Sequence, residues 1–328
     1  MSLARRGDAL LAVFPDWETT SLSVSELPLG PELPAVPPIP RIIDKIDAAP
    51  PLSPSFGLHV LAARGGVARV LYIDRESGDR LVLKLASRGE SEKLWTLDVV
   101  EPQGLPVAVV PGAPGRIDLF WARGSLLFTA FPGLSAPATL LSPFLPVGRA
   151  SLLGDDGEAG FTVYDSASRT LLAFRRDGDG FRRTPIPEGG PVHSAILTPE
   201  GLIAVVSWNP EKKRISLLEQ EAGGEFRKTT VTLCEGTHSV AILQVTRAGA
   251  GAPPSRLYLF DETTRTGAGR ASYALCMIEP GNRYRRKVLL ASAEPIACFS
   301  ALAAEGALYV LVLHGKLDLL RLGLQSFR

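Results

Sequence analysis

The chain is poor in the residues that usually announce chemistry. Its 328 residues include three cysteines, four histidines and two methionines. Cys234, Cys276 and Cys298 are odd in number and show no Cys-x-x-Cys or Cys/His metal spacing, which excludes a disulfide framework. Cys276 and Cys298 lie in apolar runs and read as small core residues. No stretch approaches the roughly twenty apolar residues of a membrane-spanning helix. Neither charge prevails, since 35 Lys and Arg face 34 Asp and Glu. Attraction to nucleic acid or an anionic membrane would therefore need a local patch. Gly-x-Ser-x-Gly and His-Glu-x-x-His are both missing, so the commonest hydrolase and metalloprotease signatures are excluded. No catalytic residues, metal ligands or cofactors are assigned from the sequence.

The N-terminal residues Met1 to Asp8 lead into a short apolar run broken by Pro15 and Asp16, which does not make a leader peptide. An abrupt start followed by a Pro-rich stretch suits an exported bacterial protein whose leader has been removed. The odd cysteine count suits a reducing cytoplasm instead.

What the chain has in quantity is turn chemistry: 32 Gly and 27 Pro, set between short apolar runs. That is the composition of an all-β chain. The clearest unit begins at Val192 to Leu197, turns at Thr198-Pro199-Glu200-Gly201, and continues through Leu202 to Trp208, Ile215 to Glu219 and Phe226 to Leu233. These are four short strands rich in Val, Ile, Leu and aromatics. The plan recurs over 57–100, 106–145, 147–186 and 237–290, and partly over 296–322. Polar residues mark its phase: His59, Arg149, His193 and His238 lie 90, 44 and 45 residues apart, and Cys298 follows 60 further on. A period in the forties built from strands predicts a β-propeller with one four-stranded antiparallel blade per repeat.

A single propeller domain is expected over 1–328, with five full repeats and one partial repeat in 57–328. Residues 1–56 hold the strand pair Ala9 to Phe14 and Ser21 to Leu27, then a Pro-rich stretch interrupted by Arg41 to Ile46. Six blades result if an N-terminal strand completes the last unit. Seven result if residues 1–56 form a degenerate blade, and seven is favoured because it uses more of the chain. Blade phrases such as Gly160-Phe161-Thr162-Val163-Tyr164-Asp165 resemble those of NHL-repeat and lactonase-type propellers. They lack the Trp-Asp ending of WD40 blades and the paired glycines of kelch. The resemblance implies the architecture and transfers no functional residue.

First strands of propeller blades line the central channel, so His59, Arg149, His193 and His238 are candidate ligand-binding residues at its mouth. Neutral imidazoles could ligate zinc or copper, whereas His⁺ with Arg149 could hold a carboxylate or phosphate. Arg149 speaks against a cation. A second repeat, aromatic-basic-basic, precedes or occupies the outermost strands: Phe181-Arg182-Arg183, Phe226-Arg227-Lys228 and Tyr284-Arg285-Arg286. Arg182, Arg183, Arg227, Lys228, Arg285 and Arg286 are therefore a candidate partner surface, although charge on an edge strand also simply blocks aggregation. Pro34 to Pro37 fits a P-x-x-P ligand. Gly249 to Pro254 reads as a surface insertion, Asp155 to Glu158 and Asp177 to Gly180 as hairpin turns, and His314 as a turn residue. The function expected is a non-enzymatic binding or scaffold protein that recognises a protein or small ligand. The alternatives are a metal-assisted hydrolase or lyase at the channel mouth, and a carbohydrate-binding protein using Trp17 or Trp208.

Overall fold

The computed structural model describes residues 2–6, 8–16, 20–29, 39–46, 59–62, 67–75, 81–89, 94–100, 103–112, 116–131, 136–154, 159–245, 255–265, 271–279 and 285–324. The chain divides into two units, Met1–Phe144 and Leu145–Arg328. The first holds three four-stranded sheets: β1 (Ser2–Arg6), β2 (Ala9–Asp16), β3 (Ser21–Pro28) and β4 (Arg41–Lys45); β5 (His59–Ala62), β6 (Ala68–Arg75), β7 (Leu81–Arg88) and β8 (Thr96–Val100); β9 (Leu105–Pro111), β10 (Ile117–Ala122), β11 (Leu126–Phe131) and β12 (Ala138–Leu141).

The second unit holds β13 (Pro146–Leu153), β14 (Gly160–Asp165), β15 (Thr170–Asp177) and β16 (Gly180–Ile186); β17 (Val192–Leu197), β18 (Ile203–Asn209), β19 (Arg214–Gln220) and β20 (Phe226–Leu233); β21 (Val240–Val245), β22 (Ser255–Arg265), β23 (Ala271–Glu279) and β24 (Arg285–Ser292); and β25 (Cys298–Ala304), β26 (Ala307–His314) and β27 (Lys316–Gly323). Every pairing is antiparallel and every sheet keeps the sequence order of its strands. Seven such sheets make the fold a seven-bladed β-propeller. No helix among the described residues is long and apolar enough to cross a membrane.

The count of seven rests on β1–β4, which lie within residues 1–56 and form a four-stranded sheet. Arg41–Lys45, an interruption in the Pro-rich stretch, is the fourth strand, paired with Ser21 to Val24. Ser2–Arg6, which the sequence does not mark as a strand, pairs with Ala9 to Val13. The seventh sheet has three strands among the described residues. Pro34 to Pro37, Gly249 to Pro254, Asp155 to Glu158 and Trp17 lie outside the described residues. Asp177 to Gly180 is a hairpin turn, closing β15 on β16.

Apolar side chains are buried between neighbouring sheets. Leu11, Val13, Val24, Val70 and Tyr72 pack the first sheet on the second. Val206, Ile215, Tyr258 and Phe260 do the same for the fifth and sixth. Middle strands are therefore covered on both faces and read as largely apolar runs, as in the fully buried β10 and its sequence Ile-Asp-Leu-Phe-Trp-Ala. Cross-strand aromatics reinforce the sheets: Phe161 stacks on Phe174 with ring centres 5.2 Å apart, a contact worth about 1 kcal/mol beyond its buried area. One polar cluster crosses from the first sheet to the second. Lys84 Nζ lies 2.6 Å from Asp74 and 3.0 Å from Asp44, and Tyr72 donates its hydroxyl to Asp44 at 2.7 Å.

In the second unit the first strands lie side by side. A Cβ on Gly148 (φ +78°) would strike the carbonyl of Pro191, and the Ala195 N–H donates to Ser151 Oγ at 2.9 Å. Two contacts in the same sequence order mean that β13 and β17 run in one direction. Antiparallel order then puts the second-to-third-strand turn of a blade at the same end as the loop that enters its first strand. That shared end carries the candidate site.

Candidate functional site

At this end a side chain from the second strand clamps the incoming loop. Asp165 closes β14 with a fully buried carboxylate. It accepts the N–H of Leu145 at 2.8 Å, of Ala167 at 3.1 Å and of Ser168 at 3.2 Å, and the Ser168 hydroxyl at 2.6 Å. In the next blade Ser207 Oγ accepts the Gly190 N–H at 2.8 Å. In the sixth, Asp261 accepts the Thr237 hydroxyl at 2.9 Å and the N–H groups of His238 and Ser239 at 3.1 and 2.6 Å. Burial pushes the Asp261 carboxyl up, against the opposing pull of these donors. Buried amides need such partners, and a buried acceptor supplies them without water.

The seventh blade departs from this pattern. His314 ends β26 one residue beyond the Leu313–Cys298 pair, just as Asp261 follows the Phe260–Val240 pair. Instead of a carboxylate on backbone amides there is a side-chain chain. His314 Nε2 lies 2.8 Å from Asp318 Oδ2, and His314 Nδ1 lies 3.2 Å from Ser292 Oγ. Ser292 ends β24, on the loop that enters this blade. Its Oγ accepts the Glu294 N–H at 3.0 Å. Lys316 Nζ is 3.2 Å from Asp318. Burial pushes the Asp318 carboxyl up, but hydrogen bonds from His314 and Lys316 outweigh that and hold it below the usual range. Gly315, at φ +73°, makes the turn between His314 and Lys316, and the Glu294 carboxylate occupies the space a Cβ would fill.

These bonds select the tautomer of the neutral imidazole. An ionised Asp318 can only accept, so Nε2 carries a proton, and in the neutral ring Nδ1 is the acceptor that faces the Ser292 hydroxyl. The imidazole is nearly covered, its side chain 10% exposed, while Asp318 is 28% exposed and Ser292 half-buried.

The residues singled out from the sequence are distributed differently. His59 opens β5 opposite Leu71; its side chain lies outside the described residues. Arg149 is exposed on β13. His193 is 8% exposed on β17, with Nδ1 3.3 Å from Pro191 O, and burial pushes its basicity down. His238 is exposed in the loop before β21. Register explains the scatter. Ala195 donates to Ser151 and Ile242 to Ser194, so Ala195 and Ile242 are equivalent. His193 then corresponds to Val240, and His238 lies two residues upstream. Arg149 falls one residue from the His193 level, where β13 bulges. Among the described residues no three His, Cys, Asp or Glu side chains gather as metal ligands would.

Three of the six residues of the basic belt are engaged. Arg227 pairs with Glu219 at 3.0 Å, Lys228 with Glu188, and Arg286 with Glu262. Arg182 and Arg183 are exposed on β16 and make no ion pair with a described residue. The Arg285 side chain lies outside the described residues. Trp208 is half-buried, its Nε1 donating to the Cys234 carbonyl at 3.1 Å.

Reading the sequence for ring-forming histidines missed Ser292, Asp318 and the role of His314. The signal was the acid that follows an apolar run on the second strand in Val163-Tyr164-Asp165 and Leu259-Phe260-Asp261, and its replacement in Val312-Leu313-His314.

No family model matches the chain, and no characterised protein matches it by sequence. Solved structures do resemble it. A Bacteroides fragilis protein provisionally assigned as a 6-phosphogluconolactonase superimposes with a TM-score of 0.54 at 9% identity, over 96% of this chain and 94% of that one. The WD40 domain of Toxoplasma gondii coronin gives 0.51 at 10% identity, over 98% and 79%. Apo AztD from Citrobacter koseri gives 0.51 at 15% identity, over 100% and 84%. At such identities the likeness establishes the β-propeller fold and no activity.

Proposed function

We propose that the chain is a binding module that recognises a protein partner through the loop end of its second unit. The observation that carries this reading is the clamping of entry loops by Asp165, Ser207 and Asp261. Loops whose amides are satisfied internally lose little conformational freedom when a partner arrives, and so bind with less entropic cost. His238 stands exposed on one of these loops with its N–H held by Asp261, which makes it a contact residue. Arg149 is also exposed.

A second reading places the partner at the outer edge of the fourth blade. Arg182 and Arg183 support it, as exposed cations with no ion pair to a described residue, and an acidic protein would complement them. Site-specific photo-crosslinking separates the two. A crosslinking residue placed at position 238 and, separately, at position 182 is irradiated in cells producing the full chain. A defined partner captured at 238 and not at 182 supports the loop end. Capture at 182 alone moves the surface to the edge. Capture at neither overturns both.

A further inference from the structure

We propose that Ser292, His314 and Asp318 form a nucleophilic site that cleaves small carboxylic esters by acyl transfer to water. This goes beyond the binding reading and does not depend on it.

Three observations carry the inference. First, the order of bonds is that of an activated hydroxyl: a carboxylate on one imidazole nitrogen at 2.8 Å and a serine on the other at 3.2 Å, within the range of a working nucleophile–base pair. Second, Asp318 fixes which nitrogen can serve as the base. With the carboxylate on Nε2–H, the neutral imidazole presents Nδ1 to the Ser292 hydroxyl, whose oxygen also accepts the Glu294 N–H. Third, the site replaces the clamp found in other blades. Asp165 and Asp261 satisfy backbone amides and leave nothing reactive. At the same place the seventh blade carries a base, and the loop supplies a half-buried hydroxyl at the protein surface. The imidazole faces Asp318 behind it and Ser292 in front, with Lys316 paired to the far carboxylate and Glu294 on the loop beside Gly315.

The chemistry balances without a cofactor. A Ser292 Oγ lone pair forms a bond to the ester carbonyl carbon, its proton passes to His314 Nδ1, and the carbonyl π pair moves onto oxygen. Asp318 stabilises the imidazolium through Nε2–H. As the oxygen pair returns, the ester C–O bond breaks and the leaving alkoxide takes the proton from Nδ1. Water then repeats the sequence on the acyl-serine, releasing the carboxylic acid and restoring Ser292. Asp318 touches no substrate and is a positioning residue.

The test uses the full chain, a fluorophosphonate probe and 4-nitrophenyl acetate. The expected results are labelling of the Ser292 peptide, seen by mass spectrometry, and hydrolysis above the buffer blank. Ser292→Ala loses the label and its rate drops to the blank. His314→Gln lowers the rate about a hundredfold. Asp318→Asn lowers kcat at least about tenfold with KM little changed, because it fixes the wrong tautomer. Circular dichroism confirms that each variant is folded. Absence of label on Ser292 in the unaltered chain overturns the proposal whatever the variants do. Hydrolysis by folded Ser292→Ala at the unaltered rate overturns it too, and leaves the three residues a structural strap.

Discussion

The carboxylate of Asp261 accepts the amide proton of Ser239 at 2.6 Å, and the same oxygen takes the Thr237 hydroxyl at 2.9 Å. One side chain, 2% exposed, thus anchors a three-residue loop to the second strand of its blade. Asp261→Ala would strip the His238 and Ser239 amides of their acceptor, while the Thr237 hydroxyl keeps the Ser239 carbonyl at 2.9 Å. Each orphaned donor costs about 1–3 kcal/mol, and water entering the new space recovers part of that, so a loss of about 3 kcal/mol is expected. Asp261→Asn keeps one acceptor oxygen and should lose about 1 kcal/mol. Urea denaturation of the three proteins measures both. Equal midpoints would mean that the loop is held by its own backbone.

The seven-fold strand plan was legible because middle strands are buried on both faces, so their residues are mostly apolar and stand out between Gly/Pro turns. Val192 to Leu233 could be divided nearly to the residue. Outer and N-terminal strands were harder: Ser2–Arg6 carries two arginines in five residues, and Arg41–Lys45 hides in a proline tract. Spacing in the sequence also misled at the level of single residues. His193 and His238 are 45 apart, yet the lateral bonds of Ser151 and Ser194 set the register, and loop length before β21 leaves His238 outside it. Ser292, His314 and Asp318 could not be assembled from spacing at all. Their meeting requires the β26–β27 hairpin to fold back and the loop from β24 to return to the same end.

The three cysteines should differ sharply in reactivity. Cys234 and Cys276 are buried in the core between the fifth and sixth sheets. Burial first, and the nearby Glu262 next, push the Cys234 thiol up to about 12, and burial pushes Cys276 up as well. At neutral pH Cys234 therefore holds on the order of a thousandfold less thiolate than a free cysteine. Cys298, half-buried at the start of β25, is the expected site of first modification. Iodoacetamide under native conditions should alkylate Cys298 and spare the other two, with all three modified in urea. Peptide mass spectrometry reads the outcome, and early alkylation of Cys234 would show that the fifth and sixth blades open together locally.

Acid should loosen the second unit through two carboxylates whose protons bind more weakly in the folded chain. Asp318 is held low by His314 and Lys316 despite its burial, and Glu219 by Arg256 and Arg227 despite its own. For such groups the unfolded chain takes up protons first as pH falls. Their stabilisation is therefore present above the ordinary carboxylate range, about pH 4, and is lost as pH drops through the lower folded values. Asp261 works in the opposite sense, because burial raises its folded value, and it partly offsets the loss. The melting temperature should fall between about pH 4.5 and about pH 2.5. Asp318→Asn and Glu219→Gln should each start lower at neutral pH and fall less steeply, and the double variant should flatten the acid limb further. Scanning calorimetry across that range decides the point: an unchanged slope in the double variant would assign acid sensitivity to other carboxylates and leave both ion pairs without weight in the folded state.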